Sequence, residues 1–242
     1  MSRRSRLAVI GFDADDTLWE NEVHYRLTEA QFMGFLADFA EADHLSERLL
    51  AAERRNLGHY GFGIKGFTLS MIETAIEVTK GKVPASVIQS ILDAGRELHS
   101  HPNELLPHAE ATITRLSERY KVVLITKGDL FDQERKLAQS GLGELFDAVE
   151  IVSDKNADTY RRVFARQGAE GTAGLMVGNS LKSDVIPMIE AGGWGVHVPH
   201  DLEWAIEAAA APVAEARFRQ IDTLAALPGL IGNIETYLGD ER

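Results

Sequence analysis

Three carboxylates stand within four positions near the start of the chain: Asp13, Asp15 and Asp16, in the run DADDT that ends at Thr17. Charges this close repel one another unless cations or hydrogen-bond donors compensate them. The preceding residues, 7–12, are apolar and β-branched, which is typical of a strand buried on both faces of a parallel sheet. Carboxylates just beyond such a strand could hold Mg²⁺ and handle phosphate. An acidic turn that only ends the strand and caps a helix is the simpler alternative.

Polar groups also follow two later apolar runs. Thr126, Lys127 and Gly128 end the run KVVLIT, where a hydroxyl and backbone N–H groups can grip phosphate oxygens. Lys155 follows a short predicted strand and stands at the start of a helix, where its ammonium could neutralise phosphate and the crowded carboxylates. The ordinary alternatives are a helix-capping threonine and a solvated surface lysine.

A fourth polar group follows the run GLMV. Asn179 and Asp184 lie in the segment GNSLKSD and offer an amide oxygen and a carboxylate, which could complete an oxygen shell around Mg²⁺. A capping loop at a helix start is the alternative reading. The four groups together favour a phosphate-handling site, because each stands at the carboxyl end of a predicted parallel strand.

The periodicity of the chain predicts two regions. Helix-forming residues with apolar spacing run over about 22–56, break at Gly58–Gly66 and resume over about 68–79 and 86–98. From about 107 the helical and strand patterns alternate, with strands expected at 121–126, 148–152, 174–178 and 194–199 and an edge strand at 217–221. This alternation predicts an α/β fold with a Rossmann-like doubly wound parallel sheet in residues 1–20 and 106–242. Residues 21–105 are expected to form an inserted helical cap domain that controls access to the site.

Composition narrows the function further. The net charge of −12 argues against binding nucleic acid or an anionic membrane, for which basic patches supply the affinity. The chain has no cysteine, which excludes disulfides and thiolate chemistry. The apolar run after the basic start MSRRSR is too short for a signal peptide or a membrane span, so a cytoplasmic location is expected.

The order of these motifs, with a helical insert after the first, resembles the haloacid dehalogenase-like (HAD) hydrolase superfamily over essentially the whole chain. DADDT at 13–17 is similar to the first motif of that family, Thr126 matches the second, Lys155 the third and residues 179–184 the fourth. The insert resembles the helical type-1 cap of the family.

The resemblance implies a role for each residue. Asp13 would be the nucleophile that becomes an aspartyl-phosphate, and Asp15 would protonate the leaving group and then activate water. Thr126 and Lys155 would hold the phosphate. Mg²⁺, the expected cofactor, would be bound by Asp13, by the backbone carbonyl of Asp15 and by Asn179 or Asp184 of the fourth motif. Further candidates for substrate binding are Thr17, Lys127 and Gly128, together with Phe62 and Lys65 from the loop GFGIKG of the insert.

Within the family, Asp15 favours a phosphatase over a dehalogenase, because a halide leaves without a proton. The expected reaction is the Mg²⁺-dependent hydrolysis of a small phosphorylated metabolite.

The fourth motif departs from the family pattern, which usually begins Gly-Asp, because position 179 is Asn. This substitution leaves open which of Asn179 and Asp184 is the direct metal ligand. It also keeps a catalytically weak binding module as an alternative, beside a phosphomutase, a phosphonatase or a dehalogenase. The substrate and the oligomeric state, including a homodimer, stay open.

Overall fold

A computed structural model describes residues 7–240 of the chain, and the side chains of residues 7–238. The outer ends of the expected core domain, residues 1–6 and 241–242, lie outside the described residues. Six strands form one sheet in which every pairing is parallel, in the order β3-β2-β1-β4-β5-β6. The strands are β1 Val9–Phe12, β2 Lys121–Lys127, β3 Ala148–Val152, β4 Gly174–Gly178, β5 Trp194–His197 and β6 Phe218–Gln220. The predicted α/β fold with a doubly wound parallel sheet is confirmed.

Alternating side chains of the central strands enter two separate cores. In β1, Ile10 and Phe12 pack with α5 (Ala109–Ser117) and α9 (Leu227–Asp240), whereas Val9 joins the cluster formed with α7 (Ala157–Arg166) and α8 (Ile186–Glu190). Successive side chains of a strand point to opposite faces, so helices cover both sides of the sheet. Burial on both faces is the reason that β1, β2 and β4 read as continuous apolar runs.

The insert consists of four helices with a core of their own. They are α1 Glu22–Phe35, α2 Ala42–Tyr60, α3 Ile64–Val78 and α4 Ala85–Ser100. Their buried apolar residues form one cluster that includes Phe32, Leu49, Met71 and Ile91. The helical stretch expected over 22–56 is therefore two helices.

The expected break at Gly58–Gly66 is shorter than predicted. It spans only 61–63, because α2 continues through Gly58 and α3 already starts at Ile64. Gly61 and Gly63 have φ angles of 72° and 107°, a region that favours glycine; Gly61 ends α2, and Gly63 caps the start of α3.

The chain divides into two compact units. One contains residues 1–20, 103–127 and 137–242, and the other contains 21–102 and 128–136. The expected cap, 21–105, thus shares residues 21–102 with the second unit, which also holds the first part of α6 (Leu130–Ser140). Across residues 7–240, no helix combines the length and the apolar character needed to cross a membrane.

Candidate active site

Asp13 is the first residue beyond β1 at the centre of the sheet. Its backbone N–H continues the parallel pairing by donating to the carbonyl oxygen of Val177 at 2.9 Å. The loop after it turns back at once, since the N–H groups of Thr17 and Leu18 both donate to the carbonyl oxygen of Ala14, at 3.2 and 2.8 Å. This turn places the Thr17 hydroxyl 3.3 Å from Asp13 Oδ2. The first motif therefore folds as a compact loop around a buried carboxylate.

Lys155 joins the first motif to the fourth. It lies between β3 and α7, where Asn156 caps the helix by accepting the N–H of Thr159 at 3.0 Å. The buried ammonium donates to Asp13 Oδ1 and to Asp184 Oδ1, the latter at 2.7 Å. A lysine excluded from water in this way needs both carboxylates as partners, and it fixes the distance between them.

The fourth motif is a loop that closes on itself after β4. Ser180 accepts the N–H of Ser183 on its hydroxyl at 3.0 Å, and the N–H of Ser180 donates to Asp184 Oδ2 at 3.0 Å. Residues 181–185 form a wide, π-type helical turn before α8, where the sequence predicts a helix from 183. Asn179 is held from two sides: its N–H donates to the Thr17 hydroxyl at 3.0 Å, and its carbonyl oxygen lies 3.0 Å from His197 Nε2.

Charge is not balanced at this site. Burial raises the pKa of the Asp13 carboxyl to about 7, and the charge of Asp184 adds to the rise, while the Lys155 ammonium acts against it. Burial alone would lower the pKa of Lys155, but the charges of Asp13 and Asp184 outweigh burial and hold that pKa above its ordinary value. Lys155 is therefore charged at neutral pH and compensates only part of the negative charge around it.

Asp15 and Thr126 lie at the same edge of the sheet. Asp15 is half-buried, its Oδ1 accepts the indole N–H of Trp19 at 2.7 Å, and its charge contributes to the raised pKa of Asp13. Thr126 is buried at the end of β2, two residues beyond Leu124, which is in register with Phe12 of β1. Asp15 thus follows the end of β1, and Thr126 is the next-to-last residue of the neighbouring strand β2.

Lys127 has partners that the sequence did not predict. Its ammonium donates to the Ser183 hydroxyl and to Glu207 Oε1, both at 2.6 Å. The other oxygen of Glu207 accepts the hydroxyls of Ser180, at 2.7 Å, and Ser183. Burial would raise the pKa of Glu207, but the Lys127 charge and the donors from Lys127, Ser183 and Ser180 outweigh it and bring that pKa below its usual range.

Tyr160 is a second residue that sequence reasoning missed. Its buried hydroxyl donates to the backbone carbonyl of Ser183 at 2.9 Å and lies 3.5 Å from Asp184 Oδ1. Burial and the charge of Asp184 raise the pKa of this phenol well above its ordinary value, so it stays a neutral donor. Neither Tyr160 nor Glu207 belongs to a short motif, and no local pattern in the sequence marks them.

The remaining candidates lie in the second compact unit. Lys65 forms an ion pair with Asp129 at 2.8 Å, directly after Gly128, which has a φ angle of 141°. The backbone N–H of Asp129 lies 3.0 Å from where a Cβ on Gly63 would be, so the loop that carries Phe62 and Lys65 packs against the segment that begins at Gly128. Their role in substrate binding stays a prediction.

A sequence profile of one family matches most of the chain. The haloacid dehalogenase-like hydrolase family matches residues 7–192, a range that contains all four motifs. The chain belongs to this family. The closely similar crystal structure of a haloacid dehalogenase-like family hydrolase from Xanthomonas campestris supports the assignment: the two chains share 40% identity and superpose with a TM-score of 0.87, over 98% of this chain and 95% of that one.

Two more distant structures share the fold of this HAD-like hydrolase. The HAD hydrolase YfnB from Bacillus subtilis, solved bound to magnesium, has 17% identity and a TM-score of 0.64, over 93% of this chain and 99% of that chain. L-2-haloacid dehalogenase from Xanthobacter autotrophicus, with chloropropionic acid covalently bound, has 19% identity and a TM-score of 0.65, over 93% and 98% of the two chains. No curated protein shows significant similarity to the chain.

A second group of potential ligands lies beside the predicted metal residues of this hydrolase. Asp16, Glu20 and His200 each offer a ligand atom, and these atoms lie within 4.8 Å of one another. Asp16 has a left-handed backbone conformation with a φ angle of 57°. His200 Nδ1 lies 3.1 Å from the carbonyl oxygen of Leu202 and 3.8 Å from Asp16 Oδ1, and its Nε2 lies 3.3 Å from Glu20 Oε2. Contacts between the imidazole and the two carboxylates therefore account for this group.

Proposed function

We propose that this HAD-like hydrolase cleaves a small phosphate monoester with Mg²⁺, through a phosphoryl group carried on Asp13. The observation that supports this most is a pair of carboxyls with different surroundings on one loop. Asp13 is buried and bonded to Lys155, whereas Asp15 is half-buried and bonded to the indole of Trp19. Two carboxyls in different environments can divide the roles of nucleophile and proton carrier.

In the first half-reaction, the ionised carboxylate of Asp13 attacks the phosphorus. The bond from phosphorus to the leaving oxygen breaks, and that oxygen takes its electron pair together with the proton of Asp15. Thr126 and Lys155 hold the phosphate oxygens, and the Lys155 ammonium also keeps Asp13 ionised and oriented. Phosphoryl transfer depends mostly on such positioning and charge neutralisation.

In the second half-reaction, Asp15 acts as the base. It takes a proton from a water molecule as the water oxygen attacks the phosphorus of the aspartyl-phosphate. The bond between phosphorus and the Asp13 oxygen breaks, inorganic phosphate leaves, and both carboxyls return to their starting states. The covalent intermediate thereby splits one difficult displacement into two easier ones.

The residues at the site fit a magnesium ion. Asp13, Asn179 and Asp184 offer the hard oxygen donors that Mg²⁺ prefers, and burial together with the charge of Asp184 raises the pKa of Asp13 to about 7, which a bound cation would lower. Both oxygens of Asp184 already accept hydrogen bonds from Lys155 and Ser180, which favours Asn179 as the direct ligand. Bound Mg²⁺ would neutralise charge on the transferred phosphoryl group.

Two alternatives compete with this proposal. The first is a dehalogenase, since the family also contains the L-2-haloacid dehalogenase named above. A halide leaves without a proton, however, so that reaction would not use Asp15 as an acid. The second is a binding module without turnover, which is favoured only by Asn179, because that residue brings no charge to the metal site.

We place the protein in the cytoplasm with a small phosphorylated metabolite as its partner. Its net charge of −12 would repel nucleic acids and anionic membranes.

The deciding experiment measures phosphate release from a panel of small phosphate esters, with Mg²⁺ and with a chelator. Asp13→Asn and Asp15→Asn should each lower Mg²⁺-dependent release at least about 10²-fold, since each removes a group that forms or breaks a bond. Asp158→Asn removes a carboxylate that is 87% exposed, and it serves as the matched control.

Chloride release from 2-chloropropionate is assayed in parallel. Phosphate release that persists in Asp13→Asn would refute the nucleophile, and chloride release without phosphate release would establish a dehalogenase. A folded wild type that releases neither product would favour the binding module.

A further inference from the structure

Trp19 is fixed from several sides at the end of the first motif. Its indole N–H donates to Asp15 Oδ1 at 2.7 Å, and its carbonyl oxygen accepts the N–H of Asp16 at 2.7 Å. The side chain is fully buried in the larger core cluster of the sheet. The indole therefore reaches from the core to one oxygen of a half-buried carboxyl.

The backbone around Trp19 is also anchored to a second segment. Trp19 pairs with Leu105 in an antiparallel bridge, Leu106 N–H donates to the carbonyl oxygen of Leu18 at 2.9 Å, and Glu20 N–H donates to that of Glu104 at 2.9 Å. Only two side-chain torsions separate this fixed backbone from the indole nitrogen, and close packing restrains both of them. The N–H thus has a defined position relative to the strand that carries Asp13.

A second tryptophan in the same core shows that a buried indole N–H does not need a hydrogen-bond acceptor here. Trp194 is also buried in that cluster, and its Nε1 has no hydrogen-bond partner among the described residues. Packing and ring contacts with Arg219 and Tyr237 therefore hold this tryptophan without a hydrogen-bond acceptor for its indole. Trp19 instead donates to a carboxylate, and hydrogen bonds to charged acceptors are the stronger kind.

We propose that Trp19 is a positioning residue for Asp15, acting through the bond from its indole N–H to Asp15 Oδ1. The hydrogen bond from the indole makes Oδ1 the less basic oxygen of the carboxyl, so the proton that Asp15 exchanges with the substrate travels on Oδ2. That proton moves to the leaving oxygen as the ester bond breaks, and Oδ2 later receives a proton from water. This inference rests on the proposed phosphatase function, because a reaction without proton transfer gives the orientation of Asp15 no purpose.

The contact itself can be tested without turnover. The chain has three tryptophans, so a sample labelled with ¹⁵N at the indole nitrogen gives three N–H signals, and Trp19→Phe identifies the signal of Trp19. Asp15→Ala should shift this signal and speed the exchange of its proton with solvent, because the acceptor is lost. Asp158→Ala is the control and should leave all three signals in place. A Trp19 signal that does not move in Asp15→Ala would overturn the inference.

The role in proton transfer is tested by leaving-group dependence. We compare kcat/KM for an alkyl phosphate, whose leaving oxygen needs a proton, with kcat/KM for 4-nitrophenyl phosphate, whose leaving group departs unprotonated. Trp19→Phe should lower kcat/KM about 10- to 100-fold for the alkyl ester and much less for the aryl ester, because a misplaced acid slows only the step that needs it. Trp194→Phe removes an indole from the same core and should leave the ratio of the two values unchanged.

The outcomes separate the two proposals. Equal losses for both esters in Trp19→Phe, or the same change of ratio in Trp194→Phe, would overturn the positioning role while the phosphatase function stands. A wild type that hydrolyses no ester would overturn the proposed function and the proton-transfer role with it. In that case the indole signal still decides whether Trp19 holds Asp15.

Discussion

Asn179 is the residue at which this chain departs from the pattern of its family, and its surroundings explain how it is held. The Thr17 hydroxyl oxygen accepts a hydrogen bond from the backbone N–H of Asn179. The same hydroxyl lies 3.3 Å from Asn179 Oδ1 and 3.3 Å from Asp13 Oδ2. One hydroxyl proton serves only one of these acceptors at a time. The amide oxygen of Asn179 therefore accepts at most a weak hydrogen bond. It can ligate a cation more readily than Asp184, whose two oxygens each accept a hydrogen bond.

Replacing Asn179 by Asp should strengthen magnesium binding. The change adds a negative charge at the proposed ligand position with the same side-chain length, and the number of charged ligands tunes the affinity of such sites. We expect a Kd for Mg²⁺ about tenfold lower, measured by calorimetric titration of wild type and variant at pH 7.5. Asn233→Asp adds the same charge at an exposed position on α9 and should leave the Kd unchanged. A Kd that is equal or higher in Asn179→Asp would argue against Asn179 as a ligand.

Gly178 is required by the position of Asp184. A Cβ on Gly178 would lie 2.2 Å from Asp184 Oδ2 and 2.4 Å from its Cγ, so alanine cannot enter without displacing this buried carboxylate. Gly178→Ala should lower activity at least about tenfold and cost about 1–3 kcal/mol in the free energy of unfolding. Within the described part of the chain, nothing beyond the backbone of α9 itself lies within 4 Å of such a Cβ on Gly232, and Gly232→Ala should stabilise the protein by about 0.5–1 kcal/mol. Urea unfolding and the phosphate-release assay measure both effects.

At the scale of elements, the loop between β5 and β6 completes the site although it has little regular structure. It brings Glu207 to the ammonium of Lys127 at the end of β2 and to the hydroxyls of Ser180 and Ser183 after β4. The ammonium of Lys182 also donates to the carbonyl oxygen of Ile206 at 2.6 Å. One carboxylate therefore ties the ends of two strands to each other.

Glu207 should make stability depend on pH in the acid range. Its pKa in the folded protein lies below the ordinary value of 4.5, so the folded state gains stability from the ionised carboxylate above that pH. This gain is lost as pH falls through the folded pKa. Glu207→Gln should therefore be less stable than wild type at pH 7, and the difference should shrink at pH 4 and below, as measured by urea unfolding. Glu215→Gln, on the exposed part of the same loop, should show no such difference; a gap that stays constant with pH would contradict the prediction.

The elements themselves could be predicted well from the sequence, and the reason is physical. The central strands β1, β2 and β4 are short apolar runs bounded by polar residues or glycine, and the motif residues stand at strand ends or just beyond them, so local pattern and position agree. The wide turn at 181–185 could not be predicted, because it depends on the bonds of Ser180 and Asp184 in three dimensions. Glu207 was missed for a similar reason, since it meets Lys127 across 80 positions of sequence.

At the scale of the whole molecule, the chain passes between its two compact units at four places. The first of them, after residue 20, coincides with the boundary that the change of periodicity predicts, and the second, after residue 102, lies three residues before the predicted boundary at 105. The other two lie on either side of residues 128–136. The sequence does not mark them as boundaries, because α6 has the length and composition of an ordinary surface helix. Its first turns expose Leu130 and Phe131, with 58% and 62% of their surface accessible, and bury Asp132, Gln133 and Lys136 instead. The buried face of this helix is therefore polar, which hydrophobic periodicity cannot detect.

Asp132 should be the residue that holds 128–136 within the second unit. Its carboxylate is 4% exposed and accepts from Arg135 at 2.9 Å, from Lys136 at 3.4 Å and from His99 of α4 at 3.2 Å. Removing the charge leaves buried cations without their counter-ion, so Asp132→Asn should lower the free energy of unfolding by about 3 kcal/mol. Hydrogen exchange of the Asp132→Asn variant, followed by mass spectrometry, should show faster exchange in 128–136 than in β2, which lies in the other unit.

Asp93→Asn is the control, because that carboxylate is 57% exposed and pairs with Arg96 on the surface of α4. Uniform exchange rates in Asp132→Asn, or an equal loss of stability in Asp93→Asn, would mean that apolar packing rather than this carboxylate anchors the segment.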